Sequence, residues 1–159
     1  MATCDATVAG LASVHGCIGA VDPLIGFGTD EQKQRLLPSL ASGQRISAFA
    51  LTEPDVGSDP AQMKTRAELA EDGSHYLLNG LKLWCTNGPI ADVLVVMAQT
   101  EPKMVNGREK KQITAFIVEG DWPGVEVVHR CDFMGIRGIQ NGVLRFTDVV
   151  VPAENVIWE

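Results

Sequence analysis

Residues 48–59, AFALTEPDVGSD, decide how the chain is read. Ala48-Phe49-Ala50-Leu51 is an apolar run suited to a buried strand. It ends at Thr52 and gives way at once to three carboxylates, a proline, a glycine and a serine. Pro54, Asp55, Gly57 and Asp59 are turn formers, and a solvated surface turn would account for them. The same atoms also suit a ligand. Gly57 lets backbone approach a ligand closely and can take positive φ. Successive amides around Gly57 and Ser58 can form a concave anion nest, with the Ser58 hydroxyl as a further donor. Such a nest fits a pyrophosphate if Glu53, Asp55 and Asp59 point away or are paired, since three carboxylates facing a phosphate would repel it.

Working outward, residues 79–88 read NGLKLWCTNG. Trp84 and Thr86 stand two apart on a strand and so share one face, while Cys85 points to the other. Core packing is the ordinary role of a strand tryptophan. A tryptophan plane beside a hydroxyl donor also suits a flat heteroaromatic ring with polar edges. Stacking would contribute about 0.5–1.5 kcal/mol beyond area burial, and the hydroxyl about 1 kcal/mol.

The flanking chain sets the fold class. Residues 5–25 are small and apolar and predict an imperfect helix to about Ile18, then a loop or second short helix through Pro23. Thr29 and Gln32 form a capping box. The helix they open is expected to run to about Leu37, with Leu36 and Leu37 on its buried side, Pro38 interrupting it and Gly43 closing the segment. Beyond Gly43 the texture becomes β. Asp72-Gly73 and Asn79-Gly80 each lie between apolar runs and predict hairpin turns. Strands are expected near 46–51, 64–70, 75–78, 81–86, 92–99, 112–118, 124–128 and 143–150, with 101–111 a polar hairpin loop tipped near Asn106-Gly107. The chain is therefore mainly β, with a helical segment over 1–43 and an antiparallel β-barrel over 44–159.

Composition narrows the function. Net charge is −7 over 159 residues, which argues against nucleic acid or an anionic membrane surface as the main partner. Cys4, Cys17, Cys85 and Cys131 form no CxxC pair, which suits free thiols in a reducing compartment. The His15/Cys17 and His129/Cys131 pairs match no usual zinc spacing. Gly26-Phe27-Gly28 begins like a dinucleotide fingerprint, but Glu31 holds the third glycine position and no strand precedes it. No Lys or Arg occurs before Lys33, unlike a targeting signal.

Four stretches resemble the acyl-CoA dehydrogenase family: FGTDEQKQRLLPSLASGQRISAFALTEPDVGSD (27–59), YLLNGLKLWCTNGPIADVLVV (76–96), ITAFIVEGDWPGVEV (113–127) and MGIRGIQNGVLRFTDVVVPAENVI (134–157). TEPxxGSD and LNGxKxWxTNG, at this spacing, carry the resemblance. It implies an N-terminal helical domain, a middle β-barrel and a C-terminal helical bundle, with FAD held between barrel and bundle. It also implies removal of a proton from Cα and a hydride from Cβ of an acyl-CoA thioester, with electrons passed on to an electron-transferring flavoprotein.

Position by position, the resemblance implies that Phe49, Leu51 and Thr52 line the flavin. Gly57 and Ser58 would meet the FAD pyrophosphate, and Ser58 would also touch acyl-CoA. Trp84 would cover the isoalloxazine and Thr86 would hydrogen-bond near N5, with Cys85 between them on the same flavin-side stretch. Phe49 stands where many relatives have Tyr. Ile139 and Asn141 replace small hydroxylated residues often found there. The family's catalytic glutamate is expected beyond residue 159, so this chain reads as a middle domain with part of its helical neighbour, inactive alone and binding FAD weakly. Full-length homodimers or homotetramers in a bacterial cytoplasm or mitochondrial matrix are expected. The 101–111 loop leans toward the very-long-chain branch. An acyl-CoA oxidase or flavin oxygenase on the same scaffold, or a non-catalytic assembly partner, are the alternatives.

Overall fold

The computed structural model describes residues 8–9 and 19–158. The helix expected to about Ile18, with His15 and Cys17, lies outside the described residues.

Two helices precede the strands: α1 (Val21–Phe27), which carries the chain past Pro23, and α2 (Asp30–Ala41). The expected capping box is present, with Gln32 N donating to Thr29 Oγ1 at 3.2 Å and Thr29 N donating to Gln32 Oε1 at 3.0 Å. Gln32 Nε2 also donates to the carbonyls of Glu154 and Val156, both at 2.8 Å, and so ties the helix start to the far end of the sheet. Pro38 does not interrupt α2, which continues to Ala41. A helix-interior proline costs about 3 kcal/mol. Burial of Leu36 and Leu40 on either side, each contributing about 1.5–3 kcal/mol, offsets that cost. Leu37 is only half-buried, so the buried stripe is Gln32, Leu36 and Leu40.

The strands are β1 (Ser47–Ala50), β2 (Arg66–Leu69), β3 (His75–Thr86), β4 (Val93–Val105), β5 (Arg108–Glu119), β6 (Val125–Arg130), β7 (Asn141–Pro152) and β8 (Val156–Trp158). They join in the order β6-β7-β3-β2-β4-β5-β8, with β1 also on β4. Most pairings are antiparallel, as expected. Two are not: β1 runs parallel to β4 from Ser47↔Val93 to Ala50↔Val96, and β2 meets β4 in parallel at Arg66↔Gln99. Both share one edge of β4, since β5 occupies the other. The chain thus leaves that edge after β1, makes the excursion over 51–65 that contains TEPDVGSD, and returns to the same edge at β2.

The sheet wraps a core that includes Ala48, Leu78, Leu94, Phe116, Leu144 and Phe146. A second cluster, with Leu24, Leu36, Leu40, Val93, Val95 and Ile117, lies between the sheet and the helices. Alternate residues of β4 therefore face opposite cores. That double burial explains why its sequence is a continuous apolar run rather than an alternation.

The turn at Asp72-Gly73 forms as expected, with Gly73 at φ 70 and Asp72 Oδ1 accepting from Ser74 N at 3.0 Å. Asn79-Gly80 is not a turn. It lies inside the uninterrupted β3, at an irregularity between Leu78 and Gly80 in the pairing with β7. A two-residue type I′ turn needs positive φ at both central residues, and neither has it. Asn79 instead clasps Asp148 on the neighbouring strand: its Nδ2 donates to Asp148 Oδ1 at 3.0 Å, and Asp148 N donates to its Oδ1 at 2.9 Å. The 101–111 segment is also more ordered than a loop. Its arms stay paired to Val105↔Arg108, and the Asn106-Gly107 turn has φ 53 and 73.

A Cβ on Gly80 would lie inside the van der Waals radius of the Thr65 side chain. Gly80→Ala should destabilise the fold by about 1–3 kcal/mol, whereas Gly57→Ala, with nothing within 4 Å of its Cβ, should change it by about 0.5 kcal/mol or less. Urea denaturation of the two variants checks the contrast.

Candidate functional site

The turn after β1 is held from below by a buried charge. Lys82 is 0% exposed and Glu53 4%. Lys82 Nζ donates to Glu53 Oε1 at 2.9 Å and to the Leu51 carbonyl at 3.0 Å. Glu53 further accepts from Lys64 N at 2.6 Å and Thr65 N at 3.0 Å. Burial alone would raise the Glu53 carboxyl, but the hydrogen bonds from Thr65, Lys64 and Lys82 outweigh it and hold the group below its ordinary range. Burial pulls the Lys82 ammonium down against the opposing pull of Glu53.

The other two acids are engaged as well. Asp55 Oδ2 pairs with Lys64 Nζ at 2.6 Å, and Asp59 accepts from Ala61 N at 3.1 Å, capping the short 3-10 turn at 60–62. Glu53 and Val56 exchange two backbone hydrogen bonds around Pro54-Asp55. This tight turn leaves Gly57 and Ser58 exposed, and no hydrogen bond within the described residues uses their amides or the Ser58 hydroxyl. Gly57 does not take the positive φ allowed for it. Its lack of a side chain keeps space open that a Cβ would occupy.

A bulge in β3 sits beside this turn. Lys82 and Cys85 are both buried although three residues apart, while Leu83 and Trp84 between them face outward. Simple alternation would send Trp84 inward with Lys82. The extra residue, with Trp84 at φ 57, reverses that, and Trp84 is 54% exposed. The bulge is laced to the end of β1: Leu83 N donates to the Thr52 carbonyl at 2.8 Å and Cys85 Sγ to the Phe49 carbonyl at 3.5 Å. TEPxxGSD and LNGxKxWxTNG, separate in sequence, thus lie side by side.

Thr86 is half-buried and its Oγ1 accepts from Asn141 Nδ2 at 2.9 Å; the same Nδ2 donates to the Trp84 carbonyl at 3.2 Å. Phe133 stacks on Trp84, with ring centroids 6.1 Å apart and planes at 29°. Leu51 and Thr52 are half-buried at the strand end, and Phe49 leans on the cluster between sheet and helices. The Cys85 side chain is turned into the core, and burial pushes its thiol up to about 12, so it can offer a ligand only its backbone. Sequence reading missed Lys82 and Phe133 and noted Asn141 only as a departure. The signal for Lys82 was a lone charge within the apolar run LKLWC.

Gly57, Ser58 and Trp84 are exposed, and Thr86 is half-buried. A cavity of about 460 Å³ lies elsewhere, between β2 and the β4–β5 arm. Among the described residues no cluster of three His, Cys, Asp or Glu is placed to hold a metal. The donor set suits an FAD molecule: free amides and an open glycine for a pyrophosphate, an exposed indole for a flat ring, and a hydroxyl for a ring nitrogen.

Comparison with known proteins agrees. The family profile described as "Acyl-CoA dehydrogenase, middle domain" matches residues 48–149, and that described as "Acyl-CoA dehydrogenase, N-terminal domain" matches residues 1–44. The chain is 52% identical over 155 residues to the probable acyl-CoA dehydrogenase FadE10 of Mycobacterium tuberculosis, covering 98% of this chain and 23% of that protein. It is 44% identical over 137 residues to the mitochondrial isovaleryl-CoA dehydrogenase of Pongo abelii, covering 86% and 31%. The crystal structure of an acyl-CoA dehydrogenase complexed with FAD from Bacillus anthracis superposes with a TM-score of 0.85 at 40% identity, covering 96% of this chain and 25% of that one. Butyryl-CoA dehydrogenase from Megasphaera elsdenii gives 0.84 at 40%, covering 98% and 39%. The chain spans about a quarter to two fifths of the length of these proteins.

Lys82→Met strands a buried carboxylate and should cost about 3–5 kcal/mol, while Glu53→Gln with Lys82→Met should recover much of that loss. The depressed Glu53 carboxyl contributes stability that is complete above its unfolded value of about 4.3 and fades as pH falls through the lower folded value. Urea unfolding across the acid range should therefore show a shallower acid loss in the double variant than in the parent.

Proposed function

This chain belongs to the acyl-CoA dehydrogenase family, and on that premise we propose that it is the flavin-holding β-domain of an FAD-dependent enzyme that introduces a double bond between Cα and Cβ of an acyl-CoA thioester. The observation that carries this reading is the lacing of the β1 turn to the β3 bulge through Lys82, Glu53 and the Thr52 carbonyl. It sets the Gly57-Ser58 turn, whose amides no hydrogen bond among the described residues uses, and an exposed indole on neighbouring elements, so that one elongated ligand could touch both. Bound FAD supplies the two-electron acceptor.

The chain's own residues bind and orient. The Gly57 and Ser58 amides hold the pyrophosphate, and the Ser58 hydroxyl also meets the acyl-CoA. Trp84 covers one face of the ring system and excludes water from it. The Thr86 hydroxyl donates to the ring edge at N5. Leu51 and Thr52 line the strand end, and Phe49 supports it from the helix side.

The base that takes the Cα proton comes from outside the described residues. Glu53 is buried in its ion pair, Asp55 is paired with Lys64, and Asp59 caps a turn, so no acid of this turn is free for proton transfer. The segment alone is accordingly inactive. It also binds FAD weakly, because contacts worth a few kcal/mol on one side of the cofactor must offset an association cost of about 4–15 kcal/mol. In the whole protein the substrate is an acyl-CoA, the electron acceptor an electron-transferring flavoprotein, and the assembly a homodimer or homotetramer, in a bacterial cytoplasm or mitochondrial matrix.

Titration of FAD into the whole protein, followed by flavin absorbance and tryptophan fluorescence, tests the site. Trp84→Ala should weaken FAD binding about 2- to 12-fold, the equivalent of about 0.5–1.5 kcal/mol of stacking, and Gly57→Val should weaken it by filling the nest. Unchanged affinity in both folded variants would place the flavin elsewhere.

A further inference from the structure

Asn141 holds both ring-facing groups of the site at once. Its side-chain nitrogen lies 3.2 Å from the Trp84 carbonyl oxygen and 2.9 Å from Thr86 Oγ1, and the residue is 6% exposed. The Trp84 carbonyl can only accept. The amide atom facing it must therefore be the NH2 group, because the flipped amide would set two acceptor oxygens against each other. The same NH2 then faces Thr86, so the Thr86 oxygen accepts from Asn141 and its own hydrogen is left to point elsewhere. The carbonyl of Asn141 takes Cys131 N at 2.8 Å and so anchors the segment that brings Phe133 onto Trp84. Its side-chain oxygen, buried and without a hydrogen-bond partner, has no part in this orientation.

We infer that Asn141 is a positioning residue that makes the Thr86 hydroxyl a committed outward donor, and that it thereby biases the site toward a ring nitrogen that accepts over one that carries hydrogen. The inference rests on the flavin reading above. N5 of oxidised flavin accepts a hydrogen bond, whereas N5 of reduced flavin carries a hydrogen and would need the hydroxyl to turn round, away from the geometry Asn141 imposes. Asn141 therefore strengthens binding of the oxidised form relative to the reduced form. The bulge in β3 is part of this device, since Trp84, at φ 57, presents its carbonyl to the Asn141 amide.

The test uses the whole protein loaded with FAD. Dissociation constants are measured for oxidised and for reduced FAD, and the midpoint potential of the bound flavin is measured separately. Asn141→Leu should raise the ratio of the oxidised to the reduced constant about tenfold, which corresponds to a potential about 30 mV more positive for a two-electron couple. Asn141→Thr, a smaller change that keeps a polar side chain, should move it in the same direction, and circular-dichroism melting selects variants that are folded. In a Thr86→Val background, where no hydroxyl remains to orient, the Asn141 substitutions should leave the ratio unmoved. A folded Asn141 variant with the parental ratio, or a shift that persists undiminished in Thr86→Val, overturns the assignment. A parent protein that holds no flavin overturns the functional reading itself, and is distinguished by the absence of flavin absorbance before any variant is compared.

Discussion

A lysine with no exposed surface, paired to a carboxylate inside a β-sheet core, is an expensive feature, since each ion taken from water costs several kcal/mol even after relaxation. Here the cost is met by geometry. Glu53 collects two backbone amides besides the ammonium, and Lys82 collects a backbone carbonyl besides the carboxylate. The pair and these partners belong to three segments: the start of the excursion after β1, its end just before β2, and the middle of β3. The pair cannot be satisfied unless all three are in place. It therefore acts as a register pin for the part of the sheet where β1 has left the edge of β4 and β2 has not yet arrived. A hydrophobic pair of equal volume would fill the space without specifying that arrangement.

The bulge in β3 follows from this pin. If Lys82 points inward, regular alternation would turn Trp84 inward too, into a core already filled by Leu144 and Phe146. One extra residue restores an outward tryptophan and an inward Cys85, at the cost of a left-handed φ at a bulky residue. The Asn141 amide captures the carbonyl that this conformation displaces, and so stabilises it from β7. The exposed indole, the Thr86 hydroxyl held by Asn141 and the free amides of the Gly57-Ser58 turn are thus consequences of one interlocking arrangement rather than separate features of the surface.

Much of this was legible beforehand. The capping box at Thr29 and Gln32, the turn at Asp72-Gly73 and the tip at Asn106-Gly107 depend on neighbours within a few residues, and each formed as its residues require. Where local and long-range demands conflict, the long-range ones prevail. Asn79-Gly80 has the composition of a turn but becomes a strand irregularity, because Asp148 offers the Asn79 side chain two hydrogen bonds and Thr65 leaves room for nothing larger than glycine. Pro38 stays inside α2 because the leucines on both sides are buried against the sheet.

The sequence by itself determined the helical-then-β order and the family resemblance, because composition, turn chemistry and contiguous motifs are properties of short stretches. The tertiary structure alone decided how the acids of the turn are neutralised, that Lys82 lies inside the core while Trp84 lies outside, and that Asn141 ties Trp84 to Thr86. The Lys82–Glu53 pair and the two Asn141 hydrogen bonds join residues 29 to 57 positions apart. Such contacts depend on strand order and on the parity of a bulge, and a single residue gained or lost in register sends every following side chain to the opposite face.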